Sequence, residues 1–255
     1  MHDDIAARLL RLNLEFYQTF AEPFSETRGR VQPGVLRALK DLPAGSSVLD
    51  LGCGNGELAR ELARQGHRGS YLGLDASPEL LAKAAARSPS VRFLRADLSG
   101  ANWADDLGGP FDRIYAFAVL HHFPGSRLRL GFALQAGRLL GDAGRLVLST
   151  WNFQASERLR ARIVPWERLG LNPGEVDPGD YLLDWRRGGR GLRYVHLFDE
   201  AELGRLAAEA GLVVADIYLS DGEGGRLGLY QVWAREHQEH DEKASVPERN
   251  SHMWW

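Results

Sequence analysis

The chain has 255 residues, 44% of them hydrophobic and 25% charged, with a net charge of −3. That length holds one large α/β domain or two small ones with a full core, and a charge so near balance excludes a protein that coats nucleic acid over its whole surface. The single cysteine, Cys53, excludes an intramolecular disulfide, and no apolar run approaches the ~20 residues of a membrane span.

The start, MHDDIAARLL, lacks a signal-peptide pattern, so the expectation is a soluble, cytoplasmic protein with no membrane partner. Residues 3–20 read as an amphipathic helix with Ile5, Leu9, Leu12, Phe16 and Phe20 on or near one face. EPFSETRGR interrupts it, and a second short helix covers Pro33 to Leu42. An alternation then begins. SVLDL, SYLGLD, VRFLRADL, FDRIYAFAVL and GRLVLSTW read as strands; ELARELARQ, SPELLAKAAARS and SRLRLGFALQAGRLL read as helices between them. Ser77 is placed as an N-cap with Pro78 at the first helical position. Strand and helix alternating in this way implies a parallel sheet covered on both faces.

After Trp151 the rhythm stops. Residues 152–195 are rich in Arg, Gly, Pro and Trp without a strong period, and so long a gap reads as a functional, partly helical insertion. The rhythm resumes with the helix DEAELGRLAAEAG and the strands LVVADIYL and RLGLYQVWAR. Gly222, Gly224 and Gly225 mark a hairpin between the two strands. The organisation expected is one domain over 1–235, with 152–195 as an insertion on the substrate side, and a disordered tail over 236–255.

The chemistry concentrates at VLDLGCGNGELARELARQG. An apolar strand ends in Asp50, three glycines follow at Gly52, Gly54 and Gly56, and a helix starts at once. In a doubly wound sheet, ligands lie at the carboxyl ends of the strands, and glycines there let the main chain approach a ligand and take positive φ. Dinucleotide folds space these glycines G-x-G-x-x-G; here the spacing is G-x-G-x-G. Asp50 would repel a pyrophosphate but suits an ammonium or sulfonium group, which favours S-adenosylmethionine over a nicotinamide dinucleotide. Two more acids stand at successive strand ends. Asp75 is placed to accept ribose hydroxyls, and Asp97, with Leu98 beside it, to meet an adenine.

VLDLGCGNG, GLDAS, RADL, FDRIYAFAVLHHF and LLGDAGRLVLSTW, within residues 46–151, resemble the class I S-adenosylmethionine-dependent methyltransferases. The resemblance implies an α/β, doubly wound, mostly parallel seven-stranded sheet, the Rossmann-like methyltransferase fold, whose last strand is antiparallel. Here that fold would carry a helical N-terminal extension and an insertion after the fifth strand. It implies Asp50, Gly52 and Gly54 around the methionine part, Asp75 and Ala76 at the ribose, Asp97 and Leu98 at the adenine, and backbone groups of Phe117 and Ala118 at the methionine end. Cys53 fills a variable position with no nucleophilic role.

The flanks narrow the resemblance. FYQTFAEPFSETR, AVLHHF, IVPW and RYVHLFDEAEL are similar, in order and spacing, to the eukaryotic tRNA methyltransferases that esterify carboxymethyl groups on wobble uridine. What this implies is a carboxylate acceptor, with Arg28 and Arg193 as its cationic grip and His121 near the acceptor; the residues themselves lean towards a structural part for His122 without separating it from His121. Those eukaryotic proteins work with a small zinc-binding activator subunit, so such a subunit is a candidate partner. A carboxylate is already ionised near neutral pH and needs cations and alignment rather than a strong base; His121 would donate a hydrogen bond, or act as base for a neutral acceptor. Each residue also has a plainer reading, since an arginine is most often a surface charge and His196 equally suits a core.

Charge placement bears on the acceptor. The chain holds 28 arginines and three lysines, and residues 158–193 carry eight arginines against five acids. RRGGRGLR, 186–193, has four arginines and no acid, and Trp166, Tyr181, Trp185 and Tyr194 lie in the same stretch, ready to stack on a base or to form the insertion's own core. No His, Cys or Asp cluster has metal spacing; His237 and His240 fall in the tail. Three functions follow: esterification of a carboxylate on a tRNA nucleoside, methylation of a small-molecule carboxylate, oxygen or nitrogen, or a non-catalytic S-adenosylmethionine-binding partner subunit.

Overall fold

The computed structural model describes residues 1–22 and 30–236. Helices α1 (Asp3–Thr19) and α2 (Pro33–Leu39) precede β1 (Val48–Leu51). The alternation then runs α3 (Glu57–Arg64), β2 (Tyr71–Asp75), α4 (Pro78–Arg87), β3 (Arg92–Arg95), β4 (Phe111–Phe117), α5 (Ser126–Arg138) and β5 (Leu140–Trp151). Short strands β6 (Ile163–Val164), β7 (Asp180–Trp185) and β8 (Gly191–His196) come next, followed by α6 (Glu200–Glu209), β9 (Val213–Ser220) and β10 (Gly228–Ala234).

The main sheet has seven strands in the order β3-β2-β1-β4-β5-β10-β9. The pairs β1–β2, β1–β4, β2–β3 and β4–β5 are parallel, and β10 runs antiparallel to both β5 and β9. This is the expected doubly wound sheet with an antiparallel last strand. The order reverses between β1 and β4, so the carboxyl end of β1 opens at the switch point, where such sheets bind ligands. All four residues of β1 are buried, as a central parallel strand requires. That burial includes Asp50, so the apolar run was broken by an acid for a reason other than solvation. The Ser77 cap is present: its hydroxyl accepts from the Leu80 N–H at 3.2 Å.

Two strand ends move. The fourth strand was expected to reach Leu120 but stops at Phe117; Ala118 takes a φ of 58°, and Leu120–His122 form a tight helical turn. The third was expected to reach Leu98 but stops at Arg95, which puts Asp97 in the loop beyond it.

The largest difference lies after Trp151. The segment read as irregular and partly helical holds a second sheet, antiparallel in the order β6-β7-β8, together with short helical turns, and its last strand runs to His196. Its period is hidden because both of its faces are covered. Leu182 and Tyr194, paired across β7 and β8, pack with Trp166 and Leu171 against Leu9 of α1; Leu183 and Val195 pack with Phe153. Adjacent positions such as Leu182 and Leu183 are therefore both apolar, and alternation disappears. Trp166 and Tyr194 are core residues of this layer, 8% and 0% exposed, so neither is open to a base.

The amphipathic face of α1 is thereby spent on the small sheet, with Leu9, Phe16 and Phe20 buried as expected. A polar joint ties the same sheet to the main one. The buried Arg129 guanidinium of α5 donates to Asp180 (3.2 Å) and the Tyr194 hydroxyl (3.2 Å), and to Glu202 of α6 (3.2 Å). His196 lies 2.6 Å from Asp180 through Nδ1 and 2.9 Å from Glu202 through Nε2. Burial works to lower the His196 pKa, but the bonds to Asp180 and Glu202 outweigh it and raise it above its ordinary value. His196 is thus a joint residue in the core. Arg28 and residues 237–255, with the tail histidines and the expected disorder, lie outside the described residues.

Candidate functional site: two chambers meeting at Ala118

One cavity of about 540 Å³ opens at the carboxyl ends of β1, β2 and β4. Asp50, Gly52, Gly54, Asp75, Ala76, Asp97, Leu98, Phe117 and Ala118 all line it. These are the nine positions expected around the cofactor, brought together from four separate loops.

The glycines do different work. Gly52 has φ 75°, and a Cβ there would stand 2.4 Å from the Val119 side chain, so only glycine lets the two loops close. Gly54 has φ 54° and open space where its Cβ would be, so the bare backbone faces the cavity. Its N–H donates to Asp75 at 2.9 Å, and the other oxygen of Asp75 accepts from the Ser77 N–H at 2.9 Å. Each carboxylate oxygen has a further acceptor position for a ribose hydroxyl. Burial raises the Asp75 pKa.

Asp50 is 3% exposed and accepts from the Tyr71 hydroxyl at 2.5 Å. Burial pushes its pKa up to about 7, against the Tyr71 bond that lowers it. A buried carboxylate on a ligand cavity, held near neutrality by lack of a counter-charge, fits a cationic ligand group, which would restore its ionisation. Asp97 is exposed and turned onto its own loop through Ser99, while Leu98 is buried at the wall. Cys53 also lines the cavity, its thiol pushed far up by burial, consistent with no nucleophilic role.

At Ala118 the expectation of backbone groups narrows to one. Its N–H already donates to the Ser149 carbonyl (3.0 Å) and lies 3.1 Å from the Ser149 hydroxyl, so it has its carbonyl to offer a ligand. The left-handed backbone of Ala118 is strain concentrated at the point where the first cavity meets a second.

That second chamber, about 390 Å³, shares Tyr17, Gln32, Val35, Phe117, Ala118 and His122 with the first. Its far wall brings Arg158, Arg162, Arg186, Arg187 and Arg193 together with Asp184 and Asp221. Arg193 is 7% exposed, and its guanidinium lies 4.4 Å from the Trp151 ring centre and 5.4 Å from those of Trp185 and Phe16. The RRGGRGLR run therefore divides. Arg186, Arg187 and Arg193 face the chamber, with Arg186 bonded to Asp184 at 2.6 Å, while Arg190 is exposed and outside its lining.

Both histidines, which the sequence left unseparated, reach the second chamber. His121 is 2% exposed and its Nδ1 accepts from the Trp151 N–H at 3.3 Å. His122 lines both chambers, with its Nε2 2.7 Å from the Tyr17 hydroxyl. Tyr17, Asn13 and Arg162 were missed by sequence reading, because a lone polar residue beside an apolar face carries no signal of what it will meet. Among the described residues no group of three His, Cys, Asp or Glu is placed to hold a metal, and no helix is long and apolar enough to cross a membrane.

Comparison with known proteins fits this geometry. The model of a methyltransferase domain matches residues 24–217. A tRNA (carboxymethyluridine(34)-5-O)-methyltransferase of Schizosaccharomyces pombe is 28% identical over 214 residues, 77% of this chain and 86% of that protein. A trans-aconitate 2-methyltransferase of Deinococcus radiodurans is 40% identical over 80 residues, 31% of this chain and 29% of its own length. Among solved structures, a SAM-dependent methyltransferase from Methanosarcina mazei superposes with a TM-score of 0.62 at 22% identity, covering 80% of this chain and 98% of its own. The chain belongs to the methyltransferase domain family, with the fold of the S-adenosylmethionine-dependent methyltransferases.

Proposed function

We propose that the chain esterifies a carboxylate carried on an RNA nucleoside, the specific form being a carboxymethyl group on a tRNA wobble uridine. The observation that carries this reading is the arginine-lined chamber joined to the cofactor cavity at Ala118. When bound, S-adenosylmethionine supplies an electrophilic methyl group on a sulfonium. In this reading Asp50 faces its cationic end, Asp75 holds the ribose, and Asp97 and Leu98 receive the adenine. Arg193, stacked on Trp151, holds the acceptor carboxylate by a planar fork, with Arg28 assigned to the same grip and His121 donating beside it. Arg193 and His121 are buried, which keeps water from the carboxylate at its grip, so alignment does most of the work. Support comes also from the fission-yeast relative, whose name states this acceptor.

A small carboxylate acceptor is the second reading. The modest size of the chamber and the named acceptor of the Deinococcus relative favour it. Incubation with methyl-labelled S-adenosylmethionine and separated RNA and metabolite fractions of the source cell decides between them. Base-labile label in tRNA supports the first reading, label in a small acid the second, and label in neither a partner subunit without turnover. Label in tRNA only when cell extract is added assigns a separate activator subunit. Neutralising Arg186, Arg187 and Arg190 is expected to raise KM for RNA and flatten its salt dependence with little change in kcat, because phosphate contacts bind ground and transition states alike.

A further inference from the structure

The polar side chains at the throat between the chambers point beyond carboxylates. A carboxylate acceptor arrives without a proton to lose. Yet Tyr17 and His122, which line both chambers, stand 2.7 Å apart, hydroxyl to Nε2. The His122 ring is fixed from behind. Its Nδ1 lies 3.4 Å from the Tyr194 carbonyl and 3.5 Å from the Asn13 amide nitrogen. Asn13 is itself clamped on both backbone groups of Tyr194, at 3.1 and 2.8 Å. A phenol and an imidazole that share one proton, aimed into the passage through which a methyl group must travel, form a proton acceptor.

We propose that Tyr17 and His122 act as a proton-accepting pair, so that the site also methylates neutral hydroxyl acceptors of phenol type. This rests on methyl transfer at the same site and extends its acceptor range. As the hydroxyl oxygen takes the methyl, the methyl–sulfur bond breaks with its electron pair going to sulfur. The hydroxyl proton passes to the Tyr17 oxygen while the proton of Tyr17 passes to His122 Nε2. The products are a methyl ether, a neutral thioether and an imidazolium, so the positive charge lost from sulfur reappears on His122. The Tyr194 carbonyl, within reach of Nδ1, is placed to hold that imidazolium in orientation. The charged groups that share these chambers with His122 are Arg11, Arg30, Arg95, Asp50, Glu57, Asp75 and Asp97 in the first and Arg158, Arg162, Arg186, Arg187, Arg193, Asp184 and Asp221 in the second; the titratable Tyr17, Cys53 and Tyr230 line them too, and His121 stands 4.2 Å away between ring centres.

The test has an arm that needs no cofactor. In histidine-labelled protein, the nitrogen resonances of His122 are followed against pH in wild type and Tyr17→Phe. The pair predicts a shift of the His122 midpoint on removing the hydroxyl, with the midpoints of the other histidines unmoved. The second arm compares phenol with benzoate as acceptors. The rate on phenol is expected to rise with pH through the His122 midpoint and to fall at least 50-fold in Tyr17→Phe and in His122→Gln. The rate on benzoate should be level over the same pH range and fall by a factor several times smaller than the rate on phenol, with cofactor affinity followed by calorimetry so that a binding loss common to both acceptors is separated. An unmoved midpoint in Tyr17→Phe, phenol left unmethylated, or equal losses on both acceptors overturns the proposal. Phenol methylated with benzoate refused leaves the pair standing and removes the carboxylate reading instead.

Discussion

The two chambers are built by different means. The cofactor cavity is made from main chain: a glycine turn, three strand ends and the acids that follow them, each within a few residues of a recognisable element. The second chamber, proposed for the acceptor, is made from side chains delivered by α1, the turn after β4, the end of β5, the small sheet and β10, segments spread along the chain from Tyr17 to Tyr230. The first therefore depends on local backbone geometry and on the acids beside it, while the second depends on how well the small sheet is fastened to the large one.

That contrast is broken most severely at the fastening. Arg129→Met should leave Asp180 buried without its guanidinium, with Tyr194 and His196 still bonded to it, costing about 3 kcal/mol of stability in a denaturant titration, and Asp180→Asn in the same chain should recover part of the loss. An unchanged midpoint would mean that the apolar packing of Leu9, Leu182 and Tyr194 alone holds the layers together.

Next in size is the acceptor grip. Arg193→Ala should lower kcat by ~100-fold, the scale of one lost transition-state donor, with cofactor affinity intact, and Arg193→Lys should restore only part because a point charge makes no fork. Equal loss of cofactor binding would show that the chambers are not separable.

On the cofactor side, Asp75→Ala should weaken S-adenosylmethionine binding by ~1–3 kcal/mol through lost ribose hydrogen bonds. Calorimetry showing wild-type affinity in a folded variant would remove Asp75 from that role.

The smallest effect is a pH dependence. With its pKa raised to about 7 in the free protein, Asp50 is protonated below that pH and ionised above it. A cationic ligand prefers the ionised form, so affinity should rise as pH increases from 6 to 8 and then level, with proton release on binding at pH 6. In Asp50→Asn the affinity should be lower and level across that range. A wild-type affinity that falls with rising pH would place Asp50 away from the cationic end.

The same division explains what could be read from sequence. Asp50, the glycine turn, Asp75 and Leu98 sit in local patterns whose physics is complete within one loop, and all of them line one cavity. Strand ends were less legible, because the left-handed step at Ala118 belongs to an alanine and gives no glycine signal. The small sheet was missed because burial on both faces erases a period of two. The position of His122 depends on Tyr17, 105 residues away, which no local pattern connects to it.

The place of β10 has a consequence for the order in which the enzyme comes into being. This last strand lies between β5 and β9, with Tyr230 opposite Ser149, the residue that takes up the Ala118 N–H. During synthesis the chain emerges from its amino end, so β5 keeps one unpaired edge until residue 234 has left the ribosome. The throat where the chambers meet is propped by that strand. A nascent chain can therefore hold its glycine turn early, yet the junction between the two chambers is finished only by β10, and a chain arrested before it exposes the middle of its own sheet.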